Sequence, residues 1–112
     1  MAGSGIKNTL QLTAGNLSSY SLLYTVPAGY YGIYNISFTN TSVSSATIRL
    51  FIGASTTSSI VASEAFEYAT TIIGNGVFER TGLALQAGAN IVISSSGSAM
   101  NVNIYGIETS TT

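Results

Sequence analysis

The chain has 112 residues, of which three are Lys or Arg and four are Glu, with no Asp, His, Cys or Trp. Charged residues make up 6% of the sequence, against about 25% in an average soluble domain, and the formal net charge is −1. This composition argues against a nucleic-acid-binding surface, and it lacks the residues of a Ser-His-Asp triad, a Cys-His dyad or the usual zinc sites.

The polar surface has to be built from uncharged side chains, since the sequence holds 17 Ser, 14 Thr and 8 Asn. The length fits one autonomous domain that buries a core without disulfides or bound metals. No run approaches the ~20 apolar residues of a membrane-spanning helix, and the first residues lack the apolar segment of a secretory signal. We therefore expect one globular domain without membrane contact, with residues 1–9 forming an N-terminal arm.

Alternation of apolar and polar residues with a period of two predicts a succession of β-strands. Many of the apolar residues are β-branched, which strands favour over helices. The predicted strands, in chain order, comprise residues 20–26, 34–39, 47–52, 70–73, 77–80, 83–85, 91–93 and 100–105.

Turn signals separate these strands. Pro27-Ala28-Gly29 ends the first strand. Asn75-Gly76 predicts a tight hairpin between its two flanking strands, because both positions tolerate positive φ. Residues 86–90 contain a glycine and predict a turn within another strand pair. Residues 58–68 are ambiguous: their apolar spacing allows one or two helical turns, but the flanking Ser and Thr favour a loop that leads into a strand.

The number and spacing of the strands predict the fold class. About eight short strands, roughly 8–12 residues apart, are typical of an all-β fold, a single antiparallel β-sandwich of the jelly-roll kind. The sandwich domain is expected to span residues 10–108. The polar residues 109–112 are predicted to form a C-terminal tail that frays.

The four glutamates are the remaining candidates for acid–base chemistry, since glycoside hydrolysis needs two carboxylates at a fixed separation. Glu64 and Glu67 lie three positions apart and would face opposite sides of a strand. We interpret them, with Glu79 and Glu108, as solvated loop charges. Gly74-Asn75-Gly76 fits a turn better than a phosphate-binding loop. We therefore predict no catalytic residue, no cofactor and no metal.

Four aromatic residues are predicted to lie outside the core. Tyr30 and Tyr31 follow the Pro-Ala-Gly turn, while Phe51 and Tyr105 lie opposite the inward positions of their strands. Interface centres are enriched in aromatic residues and depleted of charge. We therefore predict that Tyr30, Tyr31, Phe51 and Tyr105 form an interface, and that the chain is an obligate homo-oligomer, with a trimer favoured, or part of a lattice.

The order of segments along the chain carries further information. The relevant segments are YTVPAG (24–29), ISFTNT (36–41), ATIRLFI (46–52), LALQAG (83–88), IVI (91–93) and VNIYGIE (102–108). This order resembles that of short β-sandwich proteins encoded among the virion genes of tailed bacteriophages, over about Leu10 to Glu108. One departure is Ala89-Asn90, where such proteins often carry an acidic residue, so any role of that acid is not transferred.

The resemblance implies a non-enzymatic virion component, either a capsid decoration or cement protein or a tail-associated protein. The implied partners are further copies of the chain and the major capsid protein or a tail protein, without nucleic acid or membrane. The chain would be assembled in the host cytoplasm and reside in the virion. We favour the capsid, because apolar contacts do not depend on surface ion pairs that salt screens.

Three other hypotheses stay open. A tail-fibre or adhesion module would use exposed Tyr residues to stack on glycans of the host surface. A carbohydrate-binding module of a larger enzyme would do the same, although the sequence begins with Met1 and shows no linker. An enzyme would have to rely on the four glutamates alone.

Overall fold

The computed structural model describes residues 6–12 and 16–111. These residues form an all-β domain with one short 3-10 turn, Ala62–Glu64. Within them, no helix is long and apolar enough to cross a membrane. The eight strands are β1 (Ile6–Leu12), β2 (Ser21–Thr25), β3 (Tyr30–Asn40), β4 (Ala46–Gly53), β5 (Ala65–Ile72), β6 (Val77–Leu85), β7 (Asn90–Ser95) and β8 (Met100–Ser110).

The strands form two four-stranded antiparallel sheets. Sheet 1 has the order β1-β8-β3-β6, and sheet 2 has the order β2-β7-β4-β5. The pairs β1 with β8, β2 with β7, β3 with β6 and β4 with β5 are those of a long hairpin rolled into two layers. This is the jelly-roll arrangement. The predicted all-β sandwich of about eight strands is confirmed.

The core lies between the two sheets and is almost entirely apolar. Its side chains come from alternate positions of the strands, as the period of two predicts. The largest fully buried side chains between the sheets are Tyr34, Phe38, Ile36, Ile48, Leu50, Ile91, Ile93, Met100, Ile104 and Val26. Burial of these side chains on the inner faces is the main force holding the sheets together.

The Asn75-Gly76 turn is not a hairpin, and this prediction is wrong. It connects β5 in sheet 2 with β6 in sheet 1, so the flanking strands do not pair with each other. The local geometry is as expected: Asn75 has a φ of 59° and Gly76 N–H donates to the Ile73 carbonyl at 2.9 Å. The turn also packs on the β3–β4 connection, where Asn75 N–H donates to the Ser42 carbonyl at 2.8 Å. These contacts direct the chain across the sandwich.

The turn at residues 86–90 likewise joins strands of different sheets, so the strand pair predicted there is also wrong. Its backbone bonds to the end of β2 instead: Gly88 N–H donates to the Val26 carbonyl, and Val26 N–H donates to the Ala89 carbonyl. In a jelly roll, most consecutive strands alternate between layers. A local turn signal therefore cannot reveal which strand is the partner.

The ends of the sandwich differ from the predicted boundaries. β1 begins at Ile6, within the predicted arm, because its backbone pairs with β8 over its whole length. β8 continues to Ser110, which pairs with Tyr30, so the first residues of the predicted tail are ordered strand. The remainder of the arm, residues 1–5, and Thr112 lie outside the described residues. The ambiguous stretch at residues 58–68 is a short 3-10 turn that leads into β5.

Candidate assembly surfaces

The outer face of sheet 1 exposes a cluster of large apolar side chains on its two central strands, β3 and β8, toward one end of the sheet. Ile33 and Ile107 are directly paired across β3 and β8 and are 58% and 61% exposed. Tyr31, also exposed, precedes Ile33 on the same face. A shallow depression of about 310 Å³ lies among them. We call Tyr31, Ile33, Tyr105 and Ile107 the sheet-1 patch.

A carboxylate adjoins the sheet-1 patch. Tyr105 on β8 and Glu79 on β6 flank the central strand β3, and the Tyr105 hydroxyl donates to Glu79 Oε2 at 3.1 Å. This hydrogen bond is the main reason that the pKa of Tyr105 is raised. No cationic side chain among those described forms an ion pair with Glu79. Among the described side chains, the face therefore combines exposed aliphatic groups with one carboxylate that has no ion-pair partner.

The structure separates the four residues of the predicted interface. Tyr31 and Tyr105 lie together on the outer face of sheet 1, as expected from their parity. Tyr30 is half-buried at the start of β3, where it pairs with Ser110. Phe51 lies on the other sheet. Whether any of the four contacts a partner stays a prediction.

Phe51 is not exposed, and the prediction that it forms bare surface is wrong. It does lie on the outer face of its sheet, but only 1% of it is accessible. Tyr20 and Tyr68 cover it edge-on, with ring centroids 5.6 and 6.2 Å away. Edge-to-face packing is a preferred geometry for aromatic pairs. Phe51 is therefore the centre of a small second core on the outside of sheet 2.

Arg49 lies over this second core. Its guanidinium carbon is 4.3 Å from the centroid of the Tyr68 ring, and Nη1 donates to the Tyr20 hydroxyl at 3.1 Å. Its buried Nε and the buried Oγ of Ser94 on the paired position of β7 have no hydrogen-bond partner within the described part of the protein. No described carboxylate pairs with Arg49. The positive charge is therefore held in place by aromatic groups without being neutralised.

We call Leu22, Arg49 and Tyr68 the sheet-2 surface. Leu22 pairs with Val92, which pairs with Phe51, and Arg49, two residues before Phe51, pairs with Tyr68. The side chains of Leu22, Arg49 and Tyr68 therefore belong to the same outer face. Leu22 and Tyr68 are both about half exposed. The sheet-2 surface thus presents one cation between two partly exposed apolar groups.

The remaining arginine has a partner. Arg80 on β6 forms an ion pair with Glu67 on β5, which also accepts a hydrogen bond from the Thr70 hydroxyl. Because β5 and β6 belong to different sheets, this pair joins the two layers along one side of the sandwich. Glu64 accepts a hydrogen bond from the Ser55 backbone N–H at 3.0 Å, which lowers its pKa.

Glu108 is buried between the sheets, contrary to its interpretation as a solvated charge. Its Oε2 accepts hydrogen bonds from the hydroxyls of Tyr24, on β2, and Tyr34, on β3, the latter at 2.9 Å. Burial, and then the hydrogen bond to Glu108, raises the pKa of both tyrosines. The three side chains connect sheet 1 to sheet 2 at one end of the core. This arrangement fixes structure, since each hydroxyl is already used as a donor.

A signal for Glu108 was present in the sequence. The inward positions of the last strand, Met100, Val102 and Ile104, continue at the same parity to Glu108. The sequence indicated the outward position of Arg49 less strongly, by its place two residues from Phe51 on the outer face. Among the described residues, no group of three or more acidic side chains could hold a metal ion.

Comparison with known proteins gives weak structural similarity. No family model matches the sequence, and no curated protein matches it. A crystal structure of PirA is 11% identical with a TM-score of 0.45, covering 96% of this chain and 95% of PirA. An exo-β-1,3-galactanase from Phanerochaete chrysosporium is 13% identical with a TM-score of 0.38, covering 93% of this chain and 26% of the galactanase. At these scores neither similarity carries an argument about this chain.

Proposed function

We propose that the chain is a non-enzymatic structural protein of a bacteriophage virion, a capsid decoration protein that binds the shell as a homo-oligomer. The observation that supports this proposal best is the sheet-1 patch, where Ile33 and Ile107 are more than half exposed side by side. Exposed apolar clusters of this kind mark protein-binding surfaces. The virion is suggested by the order of segments along the chain, which resembles that of phage β-sandwich proteins.

The distribution of charge is consistent with a decoration protein. Glu67 and Arg80 neutralise each other and Glu108 is buried, which leaves few charges beside the exposed apolar groups of the outer faces. The apolar part of a contact made through these faces loses little strength when the ionic strength changes, because salt screens charges and not apolar contacts. A protein that binds only the assembled shell stabilises it by mass action. Burying the sheet-1 patch against a capsid subunit or another copy would serve this purpose.

The decisive experiment is to count copies of the chain in purified particles of the phage that encodes it, by quantitative mass spectrometry against the major capsid protein. A ratio of one to one, or a simple fraction of it that gives hundreds of copies, is expected. A few to a few tens of copies would reassign the chain to the tail or its fibres. Absence from the particle would refute the virion assignment altogether.

A second experiment tests the sheet-1 patch. The variant Ile33→Asp places a charge at its centre, while Val43→Asp places the same charge at an exposed apolar residue in the β3–β4 loop. Shells lacking the chain are incubated with each purified variant and sedimented. We expect Ile33→Asp to stay in the supernatant and Val43→Asp to bind like the wild type. Equal binding of both variants would show that neither attachment to the shell nor the oligomer that binds it depends on the patch.

A further inference from the structure

We propose that a second copy of the chain docks on the sheet-2 surface, so that Arg49 of one copy pairs with Glu79 of the next. The two residues lie on opposite outer faces of the sandwich, Arg49 on sheet 2 and Glu79 on sheet 1. Each copy therefore offers both halves of the contact. The contact presupposes the proposed homo-oligomer but not its place on the capsid.

The sheet-2 surface has the chemistry of a binding hot spot. Arginine and tyrosine are the residues most enriched where interface energy is concentrated. The Arg49 guanidinium is oriented by the Tyr20 hydroxyl and the Tyr68 ring, which lowers the entropy cost of forming a further contact. Leu22 and Tyr68, both partly exposed, supply apolar area beside it. What the surface lacks is a carboxylate.

Elimination among the four glutamates identifies the carboxylate that fits. Glu67 is paired with Arg80, and Glu108 is buried beneath two tyrosines. Glu64 belongs to the 3-10 turn, where the Ser55 backbone engages it. Glu79 is exposed on a sheet face, and its described partner is the neutral Tyr105 hydroxyl. It also adjoins the sheet-1 patch, so one docking event can bury apolar groups and satisfy both charges.

The geometry of the contact is heterologous, because two different faces meet. Such contacts close into a ring when the rotation between copies allows it and otherwise propagate as a filament. A trimer is one such ring. Charge complementarity between the faces fixes which face meets which and disfavours pairing of like faces.

An acidic glycan is the competing ligand for Arg49. The second copy is favoured because each copy already presents an exposed carboxylate, Glu79, on its opposite face. One side of the Tyr68 ring, which would stack on a sugar, is already covered by the guanidinium.

The test is a charge-swap series studied by sedimentation velocity over a range of protein concentrations. Arg49→Glu and Glu79→Arg each oppose like charges across the contact and should weaken self-association at least about tenfold. The double variant restores opposite charges and should recover association to within about threefold of the wild type. An equimolar mixture of the two single variants should assemble better than either variant alone, as alternating copies in a filament or an even-numbered ring, whereas a three-membered ring keeps one mismatched contact. Ser58→Glu, in an exposed loop, is the control for added charge and should assemble like the wild type.

The outcomes separate this contact from the wider proposal. Circular dichroism first confirms that each variant is folded, with Arg49→Gln and Glu79→Gln as replacements for any reversal that does not fold. Single variants that assemble like the wild type, or a double variant that assembles no better than the singles, would overturn the Arg49–Glu79 contact alone. A wild-type chain that stays monomeric up to millimolar concentration would overturn the homo-oligomer. Unchanged assembly of Arg49→Glu together with lost binding to an acidic glycan would assign Arg49 to the glycan instead.

Discussion

The hydrogen bond from Tyr34 to Glu108 should contribute substantially to stability, although neither residue reaches a functional surface. Tyr34 is fully buried and its hydroxyl lies 2.9 Å from Glu108 Oε2. A hydrogen bond to a charged acceptor contributes about 1.5–3 kcal/mol to the free energy of unfolding. We expect Tyr34→Phe to lose this amount. Glu108 keeps its bond to Tyr24 in that variant, so no buried charge is left without a partner.

Replacing Glu108 should cost more than replacing either tyrosine. Glu108→Ala leaves two hydroxyls without an acceptor, at about 1–3 kcal/mol for each buried donor. Because Tyr24 is only half-buried and can recover part of its bond from water, we expect a loss of about 2–5 kcal/mol. Glu108→Gln keeps one acceptor oxygen and should fall between the wild type and Glu108→Ala.

Thermal unfolding followed by circular dichroism measures these losses. An unfolding entropy of about 2.1 cal/mol/K per residue makes 1 kcal/mol equivalent to about 4 °C in Tm for this chain length. Tyr34→Phe should therefore lower Tm by about 6–12 °C. The matched control is Tyr105→Phe, which removes an exposed tyrosine–glutamate hydrogen bond and should change stability by less than about 0.5 kcal/mol. If both variants unfold at the same temperature at one protein concentration, burial of the Tyr34–Glu108 bond does not stabilise the fold.

Three further predictions concern the same sandwich. Burial raises the pKa of Tyr34 above its ordinary value of 10.0, so the contribution of Tyr34 to stability is complete below about pH 10. This contribution is lost as the pH rises further, by at most about 1.4 kcal/mol per pH unit. In urea unfolding at increasing alkaline pH, the free energy of unfolding should therefore fall less steeply for Tyr34→Phe than for the wild type. Phe51→Ala should cost about 3–5 kcal/mol in urea unfolding, whereas Tyr31→Ala, at an exposed site, should cost less than about 0.5 kcal/mol; equal losses would contradict the second core. Gly106→Ala would place a Cβ 2.1 Å from the Ile33 carbonyl oxygen. The variant should therefore destabilise the β3–β8 pairing by about 1–3 kcal/mol or more. An unchanged Tm would show that the two strands can move apart without loss of stability.

Period-two alternation was sufficient to predict seven of the eight strands and most of their buried faces, because a side chain's face in a strand is a local property. It missed β1, and it divided β6 into two predicted strands, residues 77–80 and 83–85. Strand partners are not local. Asn75-Gly76 has the backbone geometry that its sequence predicts, yet it links two sheets, because contacts with Ser42 in a distant connection direct it. Nothing in the turn itself distinguishes a hairpin from a crossover. The sheet order therefore had to come from the structure.

The errors at the candidate surfaces have a related cause. Phe51 was correctly assigned to the outer face of its sheet. A side chain on an outer face is nevertheless buried when neighbouring rings cover it. Tyr20 precedes β2, and Tyr68 lies in the segment whose structure was ambiguous, so neither could be placed over Phe51 from the sequence. Glu108 was predicted to be solvated because of its charge, although its position in the alternating pattern is inward. A carboxylate at an inward position is tolerated only with buried donors, and Tyr24 and Tyr34 become neighbours only after folding.

Protection of the β5–β6 side of the sandwich favours association through the faces over strand addition at that side. Strands at the edge of a sheet can pair with another chain unless something prevents it. On β5, irregular pairing with β4 and a positive φ of 65° at Ala69 break the flat edge that a new strand would need. Beside it, the Arg80–Glu67 pair ties β6 to β5 and places charge along that side of the sandwich. The outer face of sheet 1 differs from this side, because Ile33 and Ile107 are exposed there on the two central strands. A chain that blocks its β5–β6 side while leaving aliphatic groups on a face is suited to face-to-face assembly of whole sandwiches rather than to strand addition along that side.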